Sequence, residues 1–272
     1  SIDSVEIDTG YSALILSVIH FQKDEFGRLL EDETIDVNAA DNNGKTALIW
    51  AAELCHKEMV NMLLNDPRIN VNANDHITTA LIRATTANTK PKGDYAVIVK
   101  MLLKDGRINV NAADAKGSTA LILASYLDRI LIVNFLLKEE KIDINAVDKN
   151  GNTALIWAAE MGHKEILIML LKDKRTHGSG VALIRAACNN HAGIVRMLLK
   201  DERIISDKDH DENLKTALIW ASHPGHEEVV EALNEDEIIY TNSTDLNSCA
   251  DNSEEIITLL NDIVKFSCKI GV

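Results

Sequence analysis

The chain has 272 residues, of which 46% are hydrophobic but only 4% aromatic, so its core must be built mainly from Ala, Leu, Ile and Val. Its formal net charge is −14, with eleven acids and no Lys or Arg between residues 216 and 264. This argues against duplex nucleic acid as a partner, because phosphate binding needs a basic surface. No run of about 18 apolar residues and no basic N-terminal region before an apolar segment is present, so we expect neither a membrane span nor a signal peptide.

A four-residue word of the form Thr-Ala-Leu-Ile, with Ser or Val replacing Thr in two places, recurs along the whole chain. Its alanines are Ala13, Ala47, Ala80, Ala120, Ala154, Ala182 and Ala217. They are separated by 34, 33, 40, 34, 28 and 35 residues. Self-similarity at one period predicts an array of stacked structural repeats.

Each repeat has the same internal order, which is clearest between residues 42 and 75. A turn that ends on Gly44 is followed by Thr46, a residue type that caps helix N-termini. The apolar positions from Leu48 onward lie three and four residues apart, which predicts a short first helix. A second helix is predicted from about Lys57, and residues 68–75 then form an extended finger in which Ile and Val alternate with Asn.

Two steps depart from the common period. The step of 40 is explained by about six extra residues, Lys90–Tyr95, which we place between the two helices of the third repeat. The step of 28 is explained by a missing finger at Lys172–Gly180, so that the chain runs almost directly into the next helix. A bend or weak point is expected there.

These residues resemble the ankyrin repeat family over nearly the whole chain. The resemblance is carried by the Thr-x-Leu helix start, by the Ala pairs and Gly-His pairs, and by the Val-Asn-Ala finger. They stand here as Trp50-Ala51-Ala52, Trp157-Ala158-Ala159, Gly162-His163, Gly225-His226 and Val71-Asn72-Ala73. Two departures are that Ala47 and its equivalents replace the family's Pro, and that Ile49 and its equivalents replace its His.

The resemblance implies an all-α ankyrin-repeat solenoid of stacked helix-turn-helix units with β-hairpin-like fingers, forming a single domain over residues 1–272. The repeats are expected at about 9–41, 42–75, 76–114, 115–148, 149–176, 177–211 and 212–243, with a degenerate C-terminal cap at 244–272. Acidic ends would keep such a stackable array monomeric.

A candidate site follows from helix geometry together with the family's concave groove. The residue two positions after the core Leu points about 200° away from it, and the next turn of the helix lies on the same side. The predicted partner-binding residues are Trp50, Glu53, Leu54, Arg83, Leu123, Tyr126, Trp157, Glu160, Met161, Arg185, Asn189 and Trp220. Trp, Tyr and Arg dominate binding hot spots, although each Trp could instead pack against the next repeat. For Arg83 and Arg185 we favour ligand contact, because a charged residue has little reason to sit in a packing seam.

The sequence therefore predicts a protein-protein interaction module, a scaffold or adaptor that binds a partner protein or peptide, in the cytoplasm or in the host cytoplasm if the chain is a secreted effector. One alternative is a nucleotide-like ligand sensor, and another is the targeting arm of a larger enzyme or effector. Neither a catalytic set nor a cofactor or metal motif is recognisable. The histidines His56, His163, His191 and His226 recur one repeat or more apart, and we interpret them as capping residues.

Overall fold

The computed structural model describes residues 10–87, 92–205, 209–223 and 225–234. The predicted cap at 244–272 lies outside these ranges, as do Lys90 and Pro91 of the predicted insertion. Over the described residues the chain is all-α, with only isolated antiparallel bridges between the helices. It divides into two compact units, Ser1–Ala154 and Leu155–Val272, which are described separately below.

The helices of the first unit come in four pairs, each consisting of a short first helix and a second helix. Their bounds are α1 (Ala13–Ile19), α2 (Lys23–Glu31), α3 (Ala47–Glu53), α4 (Lys57–Asn65), α5 (Ala80–Thr86), α6 (Lys92–Leu103), α7 (Ala120–Tyr126) and α8 (Ile130–Leu136). First helices pack on neighbouring first helices and second helices on neighbouring second helices. The unit is therefore a stack of equivalent layers, as the repeated word predicts.

The second unit follows the same plan with less regular pieces. Its helices are α9 (Ala154–Glu160), which begins at the boundary, α10 (Lys164–Lys172), α11 (Ser179–Cys188), α12 (Ala192–Leu199), α13 (Glu202–Ile205), α14 (His210–Ala221) and α15 (Glu227–Asn234). α11 packs on both α12 and α14, while α12 also packs on α10 and α15. The chain passes from α10 to α11 with no finger, as the shortened period predicts.

Small side chains allow the layers to approach closely. Ala47, Ala51 and Ala52 of α3 are completely buried, as are Ala158 and Ala159 of α9. Thr46, Thr79 and Thr119 cap α3, α5 and α7 as expected, and Thr46 Oγ1 accepts a hydrogen bond from the backbone N–H of Ile49 at 3.5 Å. Burial of apolar surface at these close contacts is the main stabilising term of such a stack.

Two local expectations were wrong. Lys92–Tyr95 do not form a loop, because they are the first turn of the twelve-residue helix α6. Tyr95 is only 2% exposed, and its hydroxyl donates to the backbone carbonyl of Glu53 at 3.2 Å. Thr216 does not cap a helix either, since α14 already begins at His210. No residue from 209 to 215 has a positive φ that would interrupt the helix before Thr216, whereas Gly44 before Thr46 and His76 before Thr79 do.

An asparagine ladder joins the fingers of the first unit. The side-chain amide of Asn72 donates to the carbonyl of Arg107 at 2.8 Å, and its oxygen accepts from the backbone N–H of Asn109 at 2.7 Å. Asn38 and Asn111 make the same pair of bonds to the finger that follows them. Each Asn thereby satisfies two backbone groups that would otherwise need water.

Arginines reinforce the stack on the side of the second helices. Arg68 forms an ion pair with Asp66 at 2.6 Å and donates to the carbonyl of Leu30 in the preceding repeat at 2.8 Å. Arg107 and Arg203 make the same type of contact to the carbonyls of Leu64 and Leu171. The last carbonyls of a helix have no partner within it and carry partial negative charge, so a guanidinium is a suitable neighbour.

Side chains at the start of the second helices bond to carbonyls at the C-terminal end of the first helix of the preceding repeat. His191 Nε2 lies 3.0 Å from the carbonyl oxygen of Glu160, the last residue of α9. The interpretation of these histidines as capping residues is confirmed for His191, although it caps the helix of the previous repeat and not its own. Arg129 plays the same part towards the carbonyl of Ala87 at 3.1 Å.

We expect Asn72→Ala to lower the free energy of unfolding by about 1–2 kcal/mol, because two inter-repeat hydrogen bonds are lost. Asn61→Ala is the matched control, since Asn61 is exposed on α4. Urea unfolding of both variants measures the effect. Equal stabilities for the two variants would contradict the structural role of the ladder.

We expect Gly162→Ala to destabilise the protein by about 2–3 kcal/mol. Gly162 has φ +78°, and an added Cβ would lie 2.7 Å from Cε1 of His191, so the ring would have to move away from Glu160. Gly151 has the same φ of +78° and no atom within 4 Å, so Gly151→Ala isolates the backbone cost of about 1 kcal/mol. Thermal unfolding of the two variants compares them, and no difference between them would rule out the steric explanation.

Candidate functional site

In the first unit, Trp50 is held in place by three neighbours. Its indole Nε1 donates to Asp41 Oδ2 at 3.0 Å, and its ring meets Tyr11 edge-on at a centroid distance of 6.0 Å. Lys45 Nζ lies 4.2 Å from the ring centroid, within cation–π range. The indole remains half-buried, so it is fixed in orientation while part of it faces solvent.

Arg83 occupies on α5 the position that Trp50 occupies on α3, four residues after the capping threonine. Its Nη2 forms an ion pair with Asp75 Oδ2 at 2.7 Å, and the carboxyl of Asp75 is almost completely buried. The structure thus supplies a reason for a charged residue on a packing surface, which the sequence argument did not foresee. The side chain of Arg83 is still 24% exposed.

Burial of Asp75 opposes its ionisation, but the hydrogen bonds from Arg83 and from the backbone N–H groups of Thr78 and Ile77 outweigh that effect. Together they lower the pKa of Asp75 below its ordinary value. The turn next to the predicted partner-binding residues therefore contains a carboxylate that stays ionised.

Glu53 interacts both with Lys45, which lies over the Trp50 ring, and with Arg83. Its Oε2 pairs with Lys45 Nζ at 2.7 Å and lies 4.0 Å from Arg83 Nε. The charges in this cluster are mostly neutralised within the protein itself. The exposed ring surface and the remaining hydrogen-bonding capacity are then what the cluster offers to another molecule.

A similar arrangement of Glu and Arg is found in the second unit. Glu160 Oε2 forms an ion pair with Arg185 Nε at 3.7 Å, which is longer than a hydrogen bond. Helices α3 and α9 have the same sequence, Ala-Leu-Ile-Trp-Ala-Ala-Glu. Helices α5 and α11 share the sequence Ala-Leu-Ile-Arg-Ala. The sequence has Asn152 at the position of Lys45, so this second cluster is less neutralised by its own repeat.

The remaining predicted site residues differ in how much surface they offer. Tyr126 and Met161 are 42% and 36% exposed, and Asn189 is also exposed at the end of α11. Leu54, Leu123 and Trp157 are half-buried. Trp220 is half-buried and stacks on His223 with a centroid distance of 6.1 Å and an interplanar angle of 12°.

Cys188, next to Asn189, does not offer a reactive thiol. Burial, with a smaller contribution from Glu160 and against the opposing effect of Arg185, raises the pKa of Cys188 to about 11. The neutral thiol therefore dominates near pH 7 and is a poor nucleophile.

Sequence reasoning missed Tyr11, Asp41, Lys45 and Asp75, which support the predicted residues. A signal for the two carboxylates was present, because an Asp precedes the Thr of the repeated word by four or five residues in four successive repeats. These are Asp41, Asp75, Asp114 and Asp148. The contact of Tyr11 with Trp50 depends on the distance between two layers, and the contacts of Lys45 depend on how the turn folds back onto α3. The sequence contains neither.

Helix pairs that stack through equivalent positions and are joined by short hairpins define a helical repeat protein. The protein-family model described as "Ankyrin repeats (3 copies)" matches residues 2–75, 81–181 and 172–245, which is most of the chain. The chain belongs to the ankyrin repeat family, whose domains are typically non-catalytic modules for binding other proteins. No curated protein matches the sequence significantly.

In the part of the chain that the structure describes, no three His, Cys, Asp or Glu side chains are grouped so as to hold a metal ion. None of the helices described is both long enough and apolar enough to cross a membrane.

We expect Asp75→Asn to lower stability at pH 7 by about 1–3 kcal/mol, because Arg83 loses its charged partner. The variant should also lose less stability on acidification than the wild type. The pKa of Asp75 is lowered in the folded state, so its contribution is fully present above the ordinary value of 3.8 and is lost as the pH falls through the lower folded value.

Urea midpoints of the wild type and Asp75→Asn at several values from pH 7 to pH 2.5 measure this difference. Asp143→Asn is the control, because Asp143 is exposed in a finger and, among the residues that the structure describes, its carboxyl accepts only a local backbone N–H, that of Asn145. Parallel curves for the wild type and Asp75→Asn would contradict the assigned role of the ion pair.

Proposed function

We propose that this protein is an interaction scaffold that holds a partner protein or peptide against the exposed faces of its first helices, the concave groove of the family. Membership of the ankyrin repeat family supports the general role of protein binding. The groove residues and the monomeric single-domain state are part of the proposal.

The observation that carries the proposal is that a Trp, a Glu and an Arg occur in the same order on neighbouring first helices twice along the chain. In the first unit they are Trp50, Glu53 and Arg83, and in the second Trp157, Glu160 and Arg185. The Glu and Arg of each set are 4.0 Å and 3.7 Å apart. The ion pair with Asp75 accounts for Arg83 within the stack, so the support for binding is that the same set recurs with part of its surface exposed, 24% of the Arg83 side chain and 42% of the Arg185 side chain.

The support of Trp50 is also suited to binding. An indole fixed by a hydrogen bond to Asp41 and by Tyr11 loses little conformational entropy when a partner covers it. Trp and Arg are the residue types that most often dominate the energy of an interface. A fixed, half-exposed indole beside an Arg is therefore a suitable anchor for a partner's side chains.

The test uses the tagged full chain to capture partners from the native cell, with quantification by mass spectrometry. We expect the double variant Trp157→Ala with Arg185→Ala to reduce capture of the specific partner at least about thirtyfold, as the loss of a hot spot of about 2 kcal/mol or more does. Phe135→Ala combined with Arg196→Ala, on the second helices α8 and α12, is the control of matched composition.

Both double variants are first checked for wild-type unfolding midpoints. Undiminished capture by the folded Trp157 and Arg185 variant, or equal loss in the second-helix control, would contradict the proposed binding face.

A further inference from the structure

The turn aspartates of the first unit use one carboxylate oxygen to close the turn. Asp41 Oδ1 accepts from the backbone N–H groups of Asn43 and Lys45 at 2.8 and 2.9 Å. Asp114 Oδ1 accepts from those of Lys116 and Ser118, both at 2.8 Å. Asp75 does the same with Ile77 and Thr78. The local role of the residue is thus complete with Oδ1 alone.

The second carboxylate oxygen, Oδ2, has a different partner from one repeat to the next. Asp41 Oδ2 accepts from Trp50 Nε1 at 3.0 Å, and Asp75 Oδ2 accepts from Arg83 Nη2 at 2.7 Å. Both donors stand four residues after the capping threonine. At that position the fourth repeat has Leu123, which cannot donate, and no other side chain in the described parts of the chain bonds to Asp114 Oδ2.

Asp114 is also more accessible than its equivalents. Asp41 and Asp75 are 6% and 3% exposed, whereas Asp114 is half-buried. Lys116 is exposed two residues further on and makes no ion pair with it within the described residues. A partly desolvated carboxylate gains most from a charged donor, because hydrogen bonds between ionised groups are the strongest.

Apolar and aromatic surface lies on the helix that would carry the missing donor. Leu123 and Tyr126 are three residues apart on α7 and so lie on the same side of it, and Tyr126 is 42% exposed. The long aliphatic stem of a basic side chain packs well on such surface while its charged end reaches an anion.

We propose that Asp114 Oδ2, Leu123 and Tyr126 form a subsite for a basic side chain of the bound partner, which supplies the donor that the chain itself supplies in the two preceding repeats. This inference rests on the proposed function. Residues 41–215 hold 24 Lys and Arg against 22 Asp and Glu, so the complementarity to a basic group comes from the Asp114 carboxylate itself and not from the charge of the whole chain.

The test is a selection of displayed random peptides on the immobilised full-length protein. Leu123→Arg places in the fourth repeat the donor that Arg83 provides in the third, so it satisfies Asp114 from within while keeping the fold. Leu123→Met keeps an apolar side chain without a donor and is the matched control. We expect the wild type and Leu123→Met to enrich peptides with Arg or Lys at one fixed position, and Leu123→Arg to lose that preference.

An enriched peptide is then measured quantitatively. Replacing its basic residue with Ala is expected to weaken binding to the wild type about tenfold or more, and to have little effect on binding to Asp114→Asn or Leu123→Arg. Peptides whose binding depends on Trp50 or Trp157 but that carry no fixed basic residue would overturn this inference and leave the proposed function standing. A selection that enriches no peptide with any variant would count against both.

Discussion

Apolar contact between one repeat and the next is the constraint on which the other features of this protein depend. A pair of helices of seven and nine residues cannot enclose a core by itself, so each layer must bury its apolar face on its neighbours. The completely buried alanines Ala51 and Ala52 set the separation of the layers. Because that separation is short and regular, side chains at equivalent positions meet the same groups in each layer.

The regular separation also accounts for the polar contacts. Stacking brings helix ends and finger backbones close together, so side chains of one repeat can bond to the N–H and C=O groups of its neighbours. Asn72 satisfies two such groups in the next finger, and Arg107 satisfies the carbonyl of Leu64 near the end of the preceding repeat's second helix. These residues are specific to their positions because an amide or a guanidinium must match the geometry set by the apolar layers.

The repeat architecture could be predicted from the sequence because it depends on local patterns. Thr46 caps its helix as its position before Ala-Leu-Ile predicts, and the missing finger after Lys172 follows from a shortened period. The insertion was misplaced because a period gives the number of extra residues but not their conformation. Tyr95 lies in the first turn of α6, where its hydroxyl donates to the carbonyl of Glu53 in the preceding repeat. Helix periodicity also selected Trp50 and Arg83 but could not show that Asp41 and Asp75 bind them, because those contacts depend on how the hairpin folds back onto the helix.

The dual role of the turn aspartates has a consequence for selectivity. Where the chain supplies its own donor, as Arg83 does for Asp75, the pair stabilises the repeat and has little charge left for another molecule. Where the repeat pattern changes, as at Leu123 in place of a donor or Asn152 in place of Lys45, a polar group is less fully matched within the fold. Regular positions in a repeat protein thus maintain the stack, and departures from regularity leave chemistry that differs from layer to layer. A partner that contacts several layers meets a different set of side chains in each, so two arrays with the same fold bind different molecules.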